Sequence, residues 1–476
     1  KRLLGEEVIF VTGVDEHGQK ILRTANSLSI EPQVHCDNIS ANYQSLWKSW
    51  GISHDRFVRT TSKIHNKYVR YFFDKVRKKG DIYIGRQKGW YCVGCEEYKE
   101  CNDSDEKICP IHLKPLEMRD EENLFFRLSK YQHIIEELLE NESFISPKIR
   151  QNEIIQFAKR GLKDFSISRV NLSWGISVPG YTGHTFYVWF DALLGYVSSL
   201  YNSLEDINED NLVPPEWPAS IHIIGKDILR FHAIYWPAML MSAELPLPKK
   251  VFGHGFLTRE GNKMGKSLGN VLDPKTLLLE YGSDRIRWFL LKDIQFGNDG
   301  DFQHKRFIEL TNNDLANTIG NLLNRTISMS HKWFGESIPE YKNDIKFDNI
   351  LRNICNTQIE KYTFSMNNLD FQTACNSIME ISTNTNLYLS EFAPWIKIKT
   401  PERTDEVKNC IYSVLETTRI IGLLLAPLLP DLSSKIISQL NCNESQSNWT
   451  QQLKWGQLKS GKKLPLPEPI ISKLER

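Results

Sequence analysis

Along the first part of the chain, short apolar, β-branched runs alternate with longer stretches of helical period. Val8 to Thr12 reads as a buried parallel strand, apolar throughout because such a strand is covered on both faces. It runs into the polar turn G-V-D-E-H-G-Q-K-I. Residues 36–80 read as an amphipathic helix, a turn from Trp50 to Phe57, and a second helix through Lys79 that Gly80 stops. Thr60, Thr61 and Ser62 are the candidate caps of that second helix. Residues 121–131 open a helix-rich stretch, and Trp174 begins a turn closed by Pro179 and Gly180. The run 185–196 gives a second buried strand with its carboxyl end at Asp191, and 221–227 a third that ends in Gly225-Lys226-Asp227. A helix with Phe231, His232 and Trp236 on one face follows. Lys250 to Gly253 forms a fourth strand, leading into His254. Strands alternating with helices predict an α/β parallel sheet covered on both faces, with its polar strand ends converging on one crevice. From about Lys305 strand signals vanish, and helices are expected over Phe307 to Phe334, 347–367, 370–391, 404–426 and 430–440, which together make a helix bundle.

Composition narrows this picture little. The 476 residues allow two to four domains, and 41% hydrophobic with 25% charged residues is ordinary for a globular protein. The strongest apolar run, Ile420 to Leu429, is too short to span a membrane and contains Pro427. A net charge of +1 supplies no global field, so any nucleic acid must be met by local patches. The opening K-R-L-L-G-E-E-V-I-F-V-T-G reads as a helix end feeding a strand, with further residues expected upstream.

Four of the nine cysteines fall between Cys92 and Cys109, which points to a reducing compartment and a metal site. Cys92 and Cys95 form C-x-x-C; Cys109 and His112 form C-x-x-H. Two tight knuckles of soft and borderline ligands suit a structural, tetrahedral Zn2+ with no open position. Cys101 is the alternative fourth ligand if His112 does not coordinate. Downstream, Lys263, Lys266 and Ser267 sit among Gly261, Gly265 and Gly269, as a mobile loop binding a polyphosphate would. The same stretch also reads as a solvated basic turn. Asp15, Glu16 and His17 stand at a strand end where ligands bind, or cap the next helix with Asp15 as N-cap. Trp189 and Tyr196 read as core or as pocket walls, as do Phe231, His232 and Trp236. Asn317, Asn321 and Arg325 stack along one helix stripe, either a solvated polar face or a surface for base edges. Trp455, in a basic tail, either stacks an unpaired base or plugs the end of the bundle.

In order along the chain, T-G-V-D-E-H-G-Q-K, C-P-I-H, W-G-I-S-V-P, Y-V-W-F-D-A, H-I-I-G-K-D, K-M-G-K-S and N-x-x-x-R resemble the motifs of methionyl-tRNA synthetases, a family of class I aminoacyl-tRNA synthetases. The resemblance implies a Rossmann-type catalytic domain with a zinc-knuckle insertion, followed by an all-α anticodon-binding bundle. The expected divisions are 1–84 and 161–250 for the two catalytic halves, 85–160 for the insertion, 251–304 for the lysine loop and stem-contact region, and 305–476 for the bundle and tail. The implied activity is ligation of methionine to tRNA(Met) through methionyl-adenylate, with ATP and Mg2+, in the cytoplasm or an organelle, as a monomer or within a synthetase complex. Asp15, Trp189, Ala192, Tyr196, Phe231, His232 and Trp236 would hold methionine, with Asp15 on its ammonium. Gly225, Asp227 and His254 would approach the adenosine. Lys263, Lys266 and Ser267 would hold the triphosphate, the two lysines being catalytic. Asn321, Arg325 and Trp455 would read the CAU anticodon. Gly265 replaces the usual serine of the lysine loop, Ser177 replaces a common proline, and the His-Ile-Gly-His signature would lie upstream of Lys1. The alternatives are a class I synthetase for another apolar amino acid and a non-catalytic tRNA-binding relative.

Overall fold

A computed structural model of the chain describes all residues except 95, 100–106, 111–112, 171, 210, 266–268, 343–344, 443–447 and 476, together with the side chains of 345–348. It divides into two compact units, Ile9–His254 and a second made of Lys1–Val8 with Gly255–Arg476.

The first unit opens with β1 (Val11–Val14), α1 (Gln19–Ser27), α2 (Pro32–Ser49), β2 (Arg56–Arg59) and α3 (Lys63–Lys78). β1 and β2 run parallel with Val11 opposite Arg56. β1 begins three residues later than the pattern suggests and is only half-buried, because within the described sheet it has one partner strand. β2 takes the last two residues of the turn expected over Trp50 to Phe57, Arg56 and Phe57, and runs on to Arg59. Ser62 alone caps α3, accepting from the His65 N–H at 3.2 Å.

The insertion is an antiparallel sheet of β3 (Ile82–Cys92), β4 (Glu97–Lys99), β5 (Glu117–Phe126) and, after α4 (Gln132–Glu140), β6 (Ile145–Ser146) and α5 (Lys148–Ala158), β7 (Phe165–Ser166), in the order β4-β3-β5-β7. The expected helix at 121–131 is therefore strand through Phe126. Burial alternates along Glu117 to Glu122, but every residue there except Met118 is charged, so the two-residue period carries no hydrophobic signal.

Then come β8 (Ser168–Val170), β9 (His184–Phe186), α6 (Val188–Ala192), α7 (Gly195–Ser198), β10 (His222–Gly225), α8 (Trp236–Ser242) and β11 (Val251–His254). The strand expected over 185–196 stops at Phe186, and Trp189 and Asp191 lie on α6. A short apolar run has no period that separates a strand from a buried helix. β10, β11 and β6 form a parallel sheet, with Gly225 opposite His254 at the carboxyl ends. Phe231–Tyr235 is a π turn in which the Trp236 N–H bonds the Phe231 carbonyl, five residues back. The core of this unit is aromatic: Tyr68, Phe72, Phe73, Phe126, Phe186, Phe190 and Trp236 are fully buried, each contributing about 1.5–3 kcal/mol by leaving water.

The second unit holds β12 (Leu257–Arg259), β13 (Asn262–Lys263), α9 (Pro274–Tyr281), α10 (Ser283–Lys292) and β14 (Gly300–Phe302) before the helices begin. β12 pairs antiparallel with β13 and parallel with β14. α11 (His304–Thr311), a π segment at Asn312–Gly320 and α12 (Asn321–Phe334) form the first bundle helix. α13 (Ile345–Asn367), α14 (Phe371–Phe392), α15 (Pro394–Lys397), α16 (Thr404–Leu425) and α17 (Pro430–Gln439) follow, within two residues of the bounds expected from periodicity for all but the short α15. No described helix is long and apolar enough to cross a membrane.

Candidate functional site

The turn after β1 is braced from beneath. The buried Glu16 donates its N–H to Thr60 Oγ1 (2.9 Å), and its carboxylate accepts from Arg59 Nε (2.8 Å) and Thr61 Oγ1 (2.5 Å). Thr60 and Thr61 therefore serve this turn rather than capping α3. Trp174 Nε1 donates to the Glu16 carbonyl at 2.6 Å, which draws the W-G-I-S-V-P turn onto the same loop. The N-cap of α1 is Gly18, at φ +105°, so Asp15 is not spent on capping.

Behind the turn, Asp191 is buried between two imidazoles. His17 Nδ1 donates to its Oδ2 at 2.5 Å and His65 Nε2 to its Oδ1 at 2.6 Å; His65 Nδ1 meets Ser198 Oγ at 2.7 Å. Burial alone would raise the Asp191 carboxyl, but His17 and His65 outweigh it and hold it at about 2. His17 is in turn raised: Asp191, with Glu16 and Asp15, overcomes its burial. Asp15 keeps a solvent-open face at the tip of the turn, yet protein crowds it. That desolvation, followed by the charge of Asp191, raises its carboxyl to about 6. A carboxylate in that state is stabilised by a cation brought to it.

Rings stand beside it. Trp189 and Phe231 stack at 4.1 Å with planes 8° apart. Tyr196 donates its hydroxyl to His232 Nε2 at 2.7 Å, because His232 Nδ1 carries the proton given to the Ile228 carbonyl at 3.0 Å. Burial pushes His232 down to about 4 and, with His232 nearby, His222 to about 3, so both rings are neutral near pH 7. Burial and then the charge of Asp15 raise the Tyr196 phenol, which couples the aromatic group to the carboxylate. Trp236 is fully buried behind His222, to which its Nε1 donates at 3.3 Å, and it lies within 6.4 Å of Phe72 and 5.9 Å of Trp217. It backs the ring cluster rather than facing an opening. Ala192 is half-buried at the end of α6.

Gly225 and His254 are cross-strand neighbours, and the Asp227 carboxylate lies 2.6 Å from where a Cβ on Gly225 would stand. In the second unit, Lys263 is exposed on β13, joined to β12 through the tight turn Glu260–Gly261, both at positive φ. Asn270 braces the loop by accepting from the Gly265 N–H at 2.9 Å and donating to the Lys263 carbonyl at 3.0 Å. Lys266 and Ser267 lie outside the described residues.

On the first bundle helix, Asn321 and Arg325 are exposed and Asn317 is half-exposed. The Arg325 guanidinium is 5.8 Å from the ring of Trp395, itself 38% exposed. Trp455 packs against the helical core with its ring N–H buried and without a partner among the described residues. Trp395 is the tryptophan beside Arg325, and only its position just after a proline marked it in the sequence. Of the zinc candidates, Cys92 and Cys109 are buried in a small cluster with Leu116 and Trp90. Cys109 sits in a knuckle turn, donating its N–H to the Lys114 carbonyl (2.9 Å) and accepting from the Leu113 N–H (2.8 Å). Cys95, Cys101 and His112 lie outside the described residues. His65, Ser198 and His222 carry no local signal in the sequence and Asp191 only that of a strand end, since nothing local marks a histidine or aspartate as the partner of a distant residue.

Residues 1–114 and 99–327 match the family model of class I tRNA synthetases (M), and 338–476 match that of the anticodon binding domain of methionyl tRNA ligase. A methionine--tRNA ligase of Synechocystis sp. is 48% identical, spanning 100% of this chain and 92% of its own. The chloroplastic/mitochondrial methionine--tRNA ligase of Arabidopsis thaliana is 45% identical over 100% of this chain and 78% of its own. The structure of Mycobacterium tuberculosis methionyl-tRNA synthetase in complex with methionyl-adenylate superposes with a TM-score of 0.91 at 33% identity, over 98% of this chain and 92% of that one. With likeness of this extent along the whole length, the chain belongs to the methionyl-tRNA synthetase family of class I aminoacyl-tRNA synthetases.

Proposed function

We infer that this chain ligates L-methionine to tRNA(Met) with ATP. The methionine carboxylate attacks the α-phosphorus and expels pyrophosphate, giving methionyl-adenylate. A ribose hydroxyl of the terminal adenosine of the tRNA then attacks the adenylate carbonyl and releases AMP. The observation that carries this reading is the chain-long likeness to a synthetase solved with methionyl-adenylate.

The site supports specific roles. Asp15 receives the ammonium, the charge its raised carboxyl is poised to accept. Trp189, Phe231, Tyr196 and His232, with Ala192 alongside and Trp236 behind, enclose the thioether. Two neutral histidines and stacked rings offer sulfur favourable aromatic contact without a competing charge. Gly225, Asp227 and His254, at neighbouring strand ends, suit the adenosine. Lys263, Lys266 and Ser267 bind the triphosphate, which would travel with Mg2+. Positioning and charge stabilisation carry the rate in such transfers. Asn321 and Arg325 are set to read the anticodon, with the ring of Trp395 5.8 Å from the Arg325 guanidinium. Cys92, Cys95, Cys109 and His112 would hold a Zn2+: two thiols buried in so small a cluster fit a metal-supported fold. The functional divisions fall near 84, 160, 250 and 304, and the compartment is the cytoplasm or an organelle.

Methionine-dependent ATP–pyrophosphate exchange across a panel of amino acids tests the reading; exchange with isoleucine or leucine but not methionine would overturn it. In the same assay Lys266→Ala is expected to lower the rate by about 10²-fold, the scale of losing one donor to a developing oxyanion. The pH dependence is equally specific. Asp15 must be ionised to take the ammonium, and its carboxyl stands at about 6 in the free protein. Methionine affinity should therefore be flat above neutrality and fall about tenfold per pH unit well below 6, with proton release on binding near that pH. Calorimetry at pH 6 in two buffers of different ionisation enthalpy reads the released proton.

A further inference from the structure

Glu96 and Glu97, at the start of β4 in the insertion, touch the segments that carry Asp15, Trp189 and Phe231. Glu96 Oε1 accepts from the Lys20 N–H at 3.0 Å, in the first turn of α1, where the N-cap Gly18 has no side chain to offer. The same oxygen lies 2.8 Å from where a Cβ on Gly18 would stand. Glu96 Oε2 accepts from Tyr91 OH at 2.7 Å, and the Glu96 carbonyl accepts from Tyr187 OH at 2.6 Å. Tyr187 is the residue from which α6, with Trp189 and Asp191, begins. Its neighbour Glu97 pairs with Arg230, whose guanidinium lies 5.2 Å from the ring of Phe231. A second clamp reinforces α1: Arg23 meets Glu117 of β5 at 2.7 and 3.1 Å, and Arg119 bonds Gln19.

We propose that Glu96 is a positioning residue for amino-acid binding: it caps α1 from outside and so fixes the turn that presents Asp15 relative to the α6 segment that presents Trp189. A carboxylate at a helix N-terminus satisfies an otherwise unpaired N–H and complements the helix dipole. Glu96 itself takes part in neither bond making nor proton transfer. This rests on the assignment of Asp15 and the ring cluster to methionine.

The test is the affinity for methionine, by calorimetry, and the KM values in pyrophosphate exchange, for the full chain and its variants. Glu96→Ala is expected to raise Kd and KM for methionine about tenfold, the scale of losing one helix cap, with KM for ATP within about twofold of the parent. Glu96→Gln keeps one oxygen for the Lys20 N–H and should recover much of the affinity. Tyr187→Phe, which releases the Glu96 carbonyl, should shift methionine KM in the same direction by less. If Glu96→Ala binds methionine as the parent does, or if methionine and ATP constants worsen together with no rescue by Gln, the proposal fails. A parent chain that neither binds methionine nor supports exchange would instead overturn the functional reading itself.

Discussion

Asp15→Asn is expected to lower kcat/KM for methionine by about 10²–10³-fold, the largest effect of any single change in the amino-acid site. The substitution is nearly isosteric, so it removes charge and little else. An ammonium then loses its counter-ion while still being drawn from water, and truncating one partner of such a pair costs about 2–5 kcal/mol. The loss should fall mainly on KM for methionine, with KM for ATP little changed. Removing the Asp15 charge also removes the group that titrates at about 6, so the decline in affinity on acidification should disappear with it. Initial rates of exchange at varied methionine, from pH 5.5 to 8, measure both. An unchanged methionine KM would dissociate Asp15 from the ammonium.

Glu416→Ala is expected to destabilise the helical unit by about 3–5 kcal/mol, because it strands a buried guanidinium. Glu416 and Arg419 are both buried on α16, one helical turn apart, joined at 2.9 Å through Nε and 2.6 Å through Nη2. The carboxylate also accepts the N–H groups of Gly456 (2.8 Å), Gln457 (3.0 Å) and Leu458 (3.1 Å). Arg419 reaches the Gln452 and Lys454 carbonyls at 2.6 and 3.0 Å. This pair therefore ties the segment around Trp455 to α16. Urea unfolding followed by far-UV dichroism, with tryptophan fluorescence reporting the Trp449–Trp455 segment, measures the loss. Glu416→Gln should cost less, since its amide oxygen still accepts from the tail. A Glu416→Ala loss below about 1 kcal/mol would mean that the tail is held chiefly by its apolar contacts.

Helical period by itself determined the bundle: α14, α16 and α17 lie where their apolar spacing puts them, because each buries one stripe against its neighbours and that stripe is written locally. The order of motifs, and the placement of Gly225 and His254 at strand ends, were legible for the same reason, whereas the strand expected to reach Asp227 stops at Gly225 and Asp227 lies in the turn after it. Charged alternation in β5 and the aromatic run before Asp191 were not, since neither carries a period that names its structure. Only the tertiary structure decided the chemistry of the amino-acid site. Asp191 meets His65 and His17 across 126 and 174 residues, and those partners fix its ionisation. Asp15, His222 and His232 are shifted by burial that no window of sequence contains. Spacing along a chain encodes what turns toward the core; charge states and proton positions depend on which distant groups the fold brings within about 3 Å.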